Sequence, residues 1–367
     1  MKALELRIGG SLRTEIQVAS AILDSAGSLI ARRLAVRCAI IADENVARLA
    51  GERLIATLDA QKLCSVLLTI APGEKSKSLE QVARICDEMI AAGLDRSSFV
   101  IGLGGGVVGD ISGFVAAIFH RGIPHVQIPT TLLAMVDSSI GGKTCVNTSA
   151  GKNLIGAIHH PLLVIADVEL LKTLPPREFR QGFAEIVKHA IIADADMFDN
   201  VAQLSKLRLS QAASWKLAPQ QLLALVRRNI EIKAAIVAED DHDVSGERAL
   251  LNFGHTIGHA IERAGNYGDI LHGEAISLGI VAASRISSRR AGLSKEEQAQ
   301  IVAVLETCGL PVKLPANFPR EKVLEALRYD KKFQGGNIRY VVTPKLGSAY
   351  VSGEVTFEDI RAAVEEL

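Results

Sequence analysis

Two histidines four residues apart, His255 and His259 in LLNFGHTIGHAIE, fall on one face of a helix and can serve a single site. His272, in LHGEA, follows thirteen residues after His259, and Glu185 in GFAEIVKH offers a carboxylate. Such N and O donors suit a borderline divalent ion that keeps an open position for a substrate. Thr256 stands where an HExxH helix has its water-activating Glu, so peptide hydrolysis is not supported. Spacing alone does not say which histidines bind an ion and which pack the helix.

Two glycine-rich stretches could handle anions. VIGLGGGVVGD follows a strand pattern and opens a helix, and Gly104, Gly106 and Gly109 match GxGxxG, so a pyrophosphate could approach backbone N–H groups at the helix start. The acidic ribose partner expected at the end of the next strand is missing, since that strand ends in PTT, and a plain tight strand-to-helix turn fits equally well. DSSIGGKTCVNTSAGKN, residues 137–153, sets Lys143, Lys152 and Asn153 among glycines and small hydroxyls, either an anion cradle or a solvated loop. Lys188, Lys233, Arg248 and the Asp330–Lys332 run add charge that, taken singly, reads as solvated helix surface.

The elements that must position these groups change character part-way along the chain. Up to about residue 170, apolar β-branched runs (AVRCAIIAD, SVLLTIAP, SFVIGLG, HVQIPT) alternate with helical patterns, the signature of βαβ units around a buried parallel sheet. After Pro175 and Pro176 come long amphipathic segments, PREFRQGFAEIVKHAII and QQLLALVRRNIEIKAAIVAED, so a mainly helical second half is expected. IRYVVTPKLGSAYVSG, residues 338–353, reads as a small hairpin. The expectation is an α/β domain over residues 1–175 and a helical domain over 176–367.

Lys plus Arg equals Asp plus Glu at 41 each, which leaves no sustained positive field for nucleic acid or an acidic membrane, so any anion site must be local. Five scattered cysteines without a CxxC pair signal neither a disulfide framework nor a thiolate metal site, and fit a reducing cytoplasm. No apolar run suggests a signal peptide or a membrane span.

Taken together and in order, GGGVVGD, FHRG, PTTLLAMVDSSIGGKT, GKNLIGA, LKTLPPREFRQGFAEIVKH, ERALLNFGHTIGHAIE and LHGEA resemble the 3-dehydroquinate synthases of the sugar phosphate cyclase superfamily, from about Asp43 to Lys332. The resemblance implies a Rossmann-like N-terminal NAD-binding α/β domain, a mainly α-helical C-terminal metal-binding domain, and an active site in the cleft between them. It implies zinc, with cobalt as a substitute, on Glu185, His255 and His272, and NAD at Asp43, Glu74, Lys77, Gly105, Gly106, Asp110, Thr130 and Thr131. The substrate phosphate would meet Arg121, Lys143, Asn153, Asn252, His259 and Lys332, with Arg121 reaching in from a neighbouring subunit of a homodimer. Lys233 and Arg248 would hold the substrate carboxylate, Asp137 and Lys188 its ring hydroxyls, and Lys152 would stand nearby.

The implied activity is the shikimate-pathway conversion of 3-deoxy-D-arabino-heptulosonate 7-phosphate to 3-dehydroquinate and phosphate, serving aromatic amino acid biosynthesis. Two stretches depart from the family pattern: EDDHDVSGERALL before Arg248, and TCVNTSAGKN where TAVNHPxGKN is usual. The charged and amide side chains survive both changes. A related cyclase, of amino-dehydroquinate or valiolone type, is the nearest alternative, and a metal-dependent polyol dehydrogenase a more distant one that leaves the many anion-binding residues unexplained.

Overall fold

A computed structural model of the chain describes residues 3–34, 37–206, 217–241, 246–265, 270–328 and 338–367. Contacts divide it into two compact units, Met1–Leu174 with Ala218–His242, and Pro175–Leu217 with Asp243–Leu367. The segment QQLLALVRRNIEIKAAIVAED forms the helix Pro219–Glu239 and belongs with the first unit, which a single boundary at 175 does not provide for. Amphipathic periodicity shows that such a helix buries one face, but not against which neighbour.

The first unit is built on a seven-stranded sheet. Its strands are β1 (Leu4–Ile8), β2 (Ser11–Ala19), β3 (Cys38–Asp43), β4 (Ser65–Ile70), β5 (Phe99–Gly104), β6 (His125–Pro129) and, later in the chain, β9 (Leu163–Asp167), in the order β1-β2-β9-β6-β5-β3-β4. Only β1 and β2 pair antiparallel; the other neighbours run parallel. The apolar runs read from sequence are these parallel strands, and β3, β5, β6 and β9 are almost wholly buried, as a sheet covered on both faces requires. One core cluster joins Ile41, Ile70, Val100, Ile111, Phe114 and Val115 beneath the helices Leu79–Ala91 and Gly106–Ile118. Because β4 flanks β3 on one side and β5 on the other, the strand order reverses there, and the carboxyl ends of β3 and β5 border the crevice where open α/β sheets hold ligands.

Residues 143–158 form an antiparallel hairpin, β7 (Lys143–Thr148) and β8 (Gly151–Ile158), rather than an irregular loop. Glycines, asparagines and lysines disguise it in the sequence, because they are poor strand formers whose pairing is decided by the partner strand.

The second unit is mainly helical, with one hairpin, β10 (Tyr340–Lys345) and β11 (Ser348–Ser352), where residues 338–353 suggested it. The helix His272–Arg290 is buried along most of its length and packs against the helices Pro176–Ala193, His255–Ala264, Lys295–Thr307 and Phe357–Glu365. A helix buried on nearly every side belongs at the centre of its bundle. No described helix is long and apolar enough to cross a membrane.

Candidate active site

In the first unit the ends of the parallel strands gather polar groups. Asp43 closes β3 and caps the next turn, accepting from the Asn45 and Val46 amides at 2.9 and 3.1 Å. Gly105 lies between β5 and the helix Gly106–Ile118. A Cβ on Gly105 would come within 3.0 Å of the Thr131 methyl, and one on Gly106 within 3.2 Å of Ser138 Oγ, so bare backbone lines this turn. Thr130, just past β6, is buried, and its hydroxyl finds no hydrogen-bond partner among the described residues. An orphaned buried hydroxyl beside a glycine turn at a helix N-terminus suits the phosphate and ribose groups of a dinucleotide.

Lys77, in the PGEKSK segment after β4, is buried with Nζ 2.5 Å from Asp110 Oδ2 and 2.5 Å from Asn153 Oδ1. Burial works against its charge, but the Asp110 carboxylate, with Cys145 and Glu74 adding, outweighs it and holds the ammonium above its ordinary range. Burial in turn raises the Asp110 carboxyl, with Lys77 pulling the other way. Lys233 is likewise buried and donates to the Asp137 carboxylate at 2.6 Å and to its carbonyl at 2.7 Å. Both lysines are thus fixed cations, and Lys233 is not the solvated surface charge its isolated position suggests.

In the second unit three helices converge on a buried carboxylate. Close approach is possible because of glycine: a Cβ on Gly279 would lie 2.0 Å from the Gly254 carbonyl, and one on Gly273 would lie 2.5 Å from the Gln181 backbone. Those contacts bring together the helices that carry Glu185, His255 and His272. His255 Nε2 stands 3.4 Å, and His272 Nε2 3.7 Å, from Glu185 Oε1, while the Lys188 ammonium lies against Oε2. The donor atoms of the three residues all fall within 4.8 Å of one another. His255 Nδ1 faces the Phe253 carbonyl at 3.2 Å, and His272 Nδ1 faces Glu262 Oε2 at 3.2 Å, so each ring turns Nε2 toward Glu185.

The titrating groups in this cluster are shifted in opposite directions. Burial raises the Glu185 carboxyl, but Lys188 and His255 overcome it and hold the group well below the usual carboxylate range. Burial, reinforced by Lys188, lowers His255, while His272, despite burial, is pushed up to about 10 by Glu185 and Glu262. Neither Glu185 oxygen accepts a well-formed hydrogen bond among the described residues. A divalent cation satisfies that carboxylate and displaces the His272 proton, so the donor set fits a metal ion.

The family model described as 3-dehydroquinate synthase N-terminal matches residues 67–181, and the one described as 3-dehydroquinate synthase C-terminal matches residues 182–333. The chain belongs to the 3-dehydroquinate synthase family. A 3-dehydroquinate synthase of Caulobacter vibrioides is 41% identical over 364 residues, covering 97% of this chain and 96% of the relative. Among solved structures, ValA, a 2-epi-5-epi-valiolone synthase from Streptomyces hygroscopicus subsp. jinggangensis with NAD+ and Zn2+ bound, superposes with a TM-score of 0.86 at 31% identity, covering 96% of this chain and 95% of its own. A 2-deoxy-scyllo-inosose synthase complexed with carbaglucose-6-phosphate, NAD+ and Co2+ superposes with a TM-score of 0.88 at 26% identity, covering 100% and 99%.

The remaining family positions fall as follows. Lys143 opens β7 and is exposed; Lys152 and Asn153 open β8, with Asn153 at a φ of 59°. Arg121 is exposed at a φ of 70°, next to His120 at 48°. Arg248, buried, and Asn252, half-buried, lie on the 3-10 turn just before the histidine helix. His259 is exposed one turn beyond His255, with ring centroids 5.2 Å apart. Lys332 and Asp330 lie outside the described residues.

Two participants escaped the sequence reading. Asn147 donates to Glu74 Oε1 at 2.8 Å, accepts from the Asn153 amide at 3.0 Å, and its own amide donates to the Lys77 carbonyl at 2.8 Å. Glu262 is the carboxylate behind His272. Asn147 had no signal in sequence; Glu262 did, three residues after His259 on the same helix face.

Proposed function

We propose that the chain is a carbon–oxygen lyase that converts 3-deoxy-D-arabino-heptulosonate 7-phosphate to 3-dehydroquinate and phosphate in the shikimate pathway. The observation that carries this reading is the full-length likeness to 3-dehydroquinate synthases together with the Glu185, His255 and His272 cluster. The reaction passes through transient oxidation of a secondary alcohol, phosphate elimination, reduction, ring opening and an intramolecular aldol closure. NAD, when bound, would supply the acceptor and donor of the hydride. Zinc, with cobalt as a substitute, would supply a Lewis acid for the alcohol and hydroxyls at Glu185, His255 and His272.

The chain's own residues bind and orient. NAD sits on Asp43, Glu74, Lys77, Gly105, Gly106, Asp110, Thr130 and Thr131; the orphaned Thr130 hydroxyl and the bare glycine turn support this. Glu185, His255 and His272 hold the metal. Lys233 and Arg248, both buried, are cations kept for the substrate carboxylate. Asp137 and Lys188 meet ring hydroxyls, with Lys152 beside them. Arg121, Lys143, Asn153, Asn252, His259 and Lys332 hold the phosphate, whose own oxygens accept the proton in the elimination with His259 assisting.

A homodimer in which Arg121 serves the neighbouring site is part of the reading, as is a cytoplasmic location. Supporting the first, His120 and Arg121 keep consecutive left-handed backbones on an exposed turn, a strain that non-glycine residues rarely hold without function.

The test is phosphate release from 3-deoxy-D-arabino-heptulosonate 7-phosphate with catalytic NAD and added zinc, with the carbocycle followed by mass spectrometry. Stoichiometric phosphate and dehydroquinate without net NADH are expected. Preference for a sugar phosphate lacking the carboxylate would move the reading to a valiolone-type cyclase, which the likeness to ValA favours second.

A further inference from the structure

His272 is shared by two groups of candidate ligands. Donor atoms of Glu185, His255 and His272 lie within 4.8 Å of one another, and so do those of His259, Glu262 and His272. One imidazole cannot present the same lone pair to both. Its Nε2 stands 3.7 Å from Glu185 Oε1 and its Nδ1 3.2 Å from Glu262 Oε2, so the two carboxylates address opposite nitrogens.

Glu262 is built for that second contact. It sits seven residues after His255, two turns along the same helix face, and is 4% exposed. A neutral imidazole has one N–H; given to a buried carboxylate at Nδ1, it leaves the lone pair at Nε2. His255 is arranged in parallel, with Nδ1 on the Phe253 carbonyl and Nε2 facing Glu185. Both rings thus turn the same nitrogen to the same carboxylate.

We infer that Glu262 is a positioning residue: it holds His272 in the tautomer and orientation that present Nε2 beside Glu185 and His255, and so governs how tightly the ion is retained without ligating it. The inference rests on the reading of Glu185, His255 and His272 as metal ligands. Removing such a carboxylate behind a ligand histidine weakens metal affinity by about 10- to 100-fold.

Zinc affinity of the purified full-length chain, measured by chelator competition without substrate or NAD, tests this in Glu262→Ala, Glu262→Gln and His259→Ala. The expected order is a loss of roughly 10- to 100-fold for Glu262→Ala, a smaller loss for Glu262→Gln, which keeps an acceptor oxygen for Nδ1–H, and wild-type affinity for His259→Ala. Glu262→Gln also keeps the test available if the alanine variant fails to fold. Wild-type affinity in both Glu262 variants would overturn the inference while leaving the metal reading intact. A large loss in His259→Ala together with Glu262→Gln would overturn it in favour of the second group as the ion's ligands. A wild-type chain that binds no zinc would overturn the metal reading itself, and this inference with it.

Discussion

Each unit buries a cluster of charge, and the two clusters are finished to different degrees. In the first unit Lys77 is matched by Asp110 and Asn153, and Lys233 by Asp137, through contacts between 2.5 and 2.7 Å. These charges are settled by the protein alone and stand ready as fixed cations. In the second unit Glu185 is fully buried against Lys188, yet neither oxygen accepts a well-formed hydrogen bond among the described residues. Nearby, His272 holds a proton far above its usual range. The first arrangement is complete within the protein, and the second leaves both Glu185 oxygens open to a cation that would displace the His272 proton. A bound cation should therefore add stability to the second unit without being required for its fold.

The largest expected effect tests the second cluster. His272→Ala removes a partly exposed side chain proposed as a ligand, so the purified variant should keep its circular dichroism spectrum while losing both tightly bound zinc and activity. Zinc at one hundred times its dissociation constant should stabilise the wild type by about 2.7 kcal/mol, and the variant not at all. Unchanged metal content in the variant would refute the assignment.

Next in size is the first cluster. Lys77→Met strands the Asp110 carboxylate and should lower stability by about 3–5 kcal/mol in urea unfolding. Adding Asp110→Leu should restore most of that stability without restoring NAD binding. Failure of the double variant to recover would mean that the pair is a structural necessity rather than a cation held for a ligand.

The same contrast explains what was legible in sequence. Strand runs such as SFVIGLG announce β5 because a strand buried on both faces must be continuously apolar, and HTIGH sets His255 and His259 on one helix face by spacing alone, without saying which of them meets an ion. What stayed hidden was set by partners distant in sequence. The β7–β8 hairpin looked like a glycine-rich loop. The helix Pro219–Glu239 belongs to the first unit although it follows the prolines. Lys233 reads as an ordinary surface lysine because Asp137 lies 96 residues away, and the pairing of Lys77 with Asp110, 33 residues on, has no local signal.

A third test uses a buried histidine that has no metal role. His125 is fully buried on β6, stacked on His159, with no hydrogen-bond partner for either ring nitrogen among the described residues. Burial, helped by His159 and His160, lowers it from 6.5 to about 3. The unfolded chain therefore binds a proton near 6.5 that the folded chain refuses until about 3, so stability is full above 6.5 and falls as pH drops through that window. The loss is about 1.36 kcal/mol per pH unit, or about 2 kcal/mol at pH 5. His125→Phe should flatten this acid limb, and an unchanged slope would show that the ring is protonated in the fold.

The smallest effect probes how the first unit keeps its cations aimed. Asn147, on β7, ties the segment that carries Glu74 and Lys77 to the hairpin that carries Lys143, Lys152 and Asn153, through one side-chain hydrogen bond to Glu74 and one from its backbone to the Lys77 carbonyl, and it braces the hairpin itself by accepting from the Asn153 amide. Asn147→Ala removes the two side-chain bonds, at about 0.5–1.5 kcal/mol each, and leaves the Lys77 and Asp110 pair untouched. Stability should fall by about 1–2 kcal/mol. KM should rise several-fold for NAD and for the sugar phosphate together, because one residue orients both binding segments. A rise confined to one of them would mean that the two segments hold their places independently, and the preorganisation attributed to the first unit would then reside in the Lys77 pair alone.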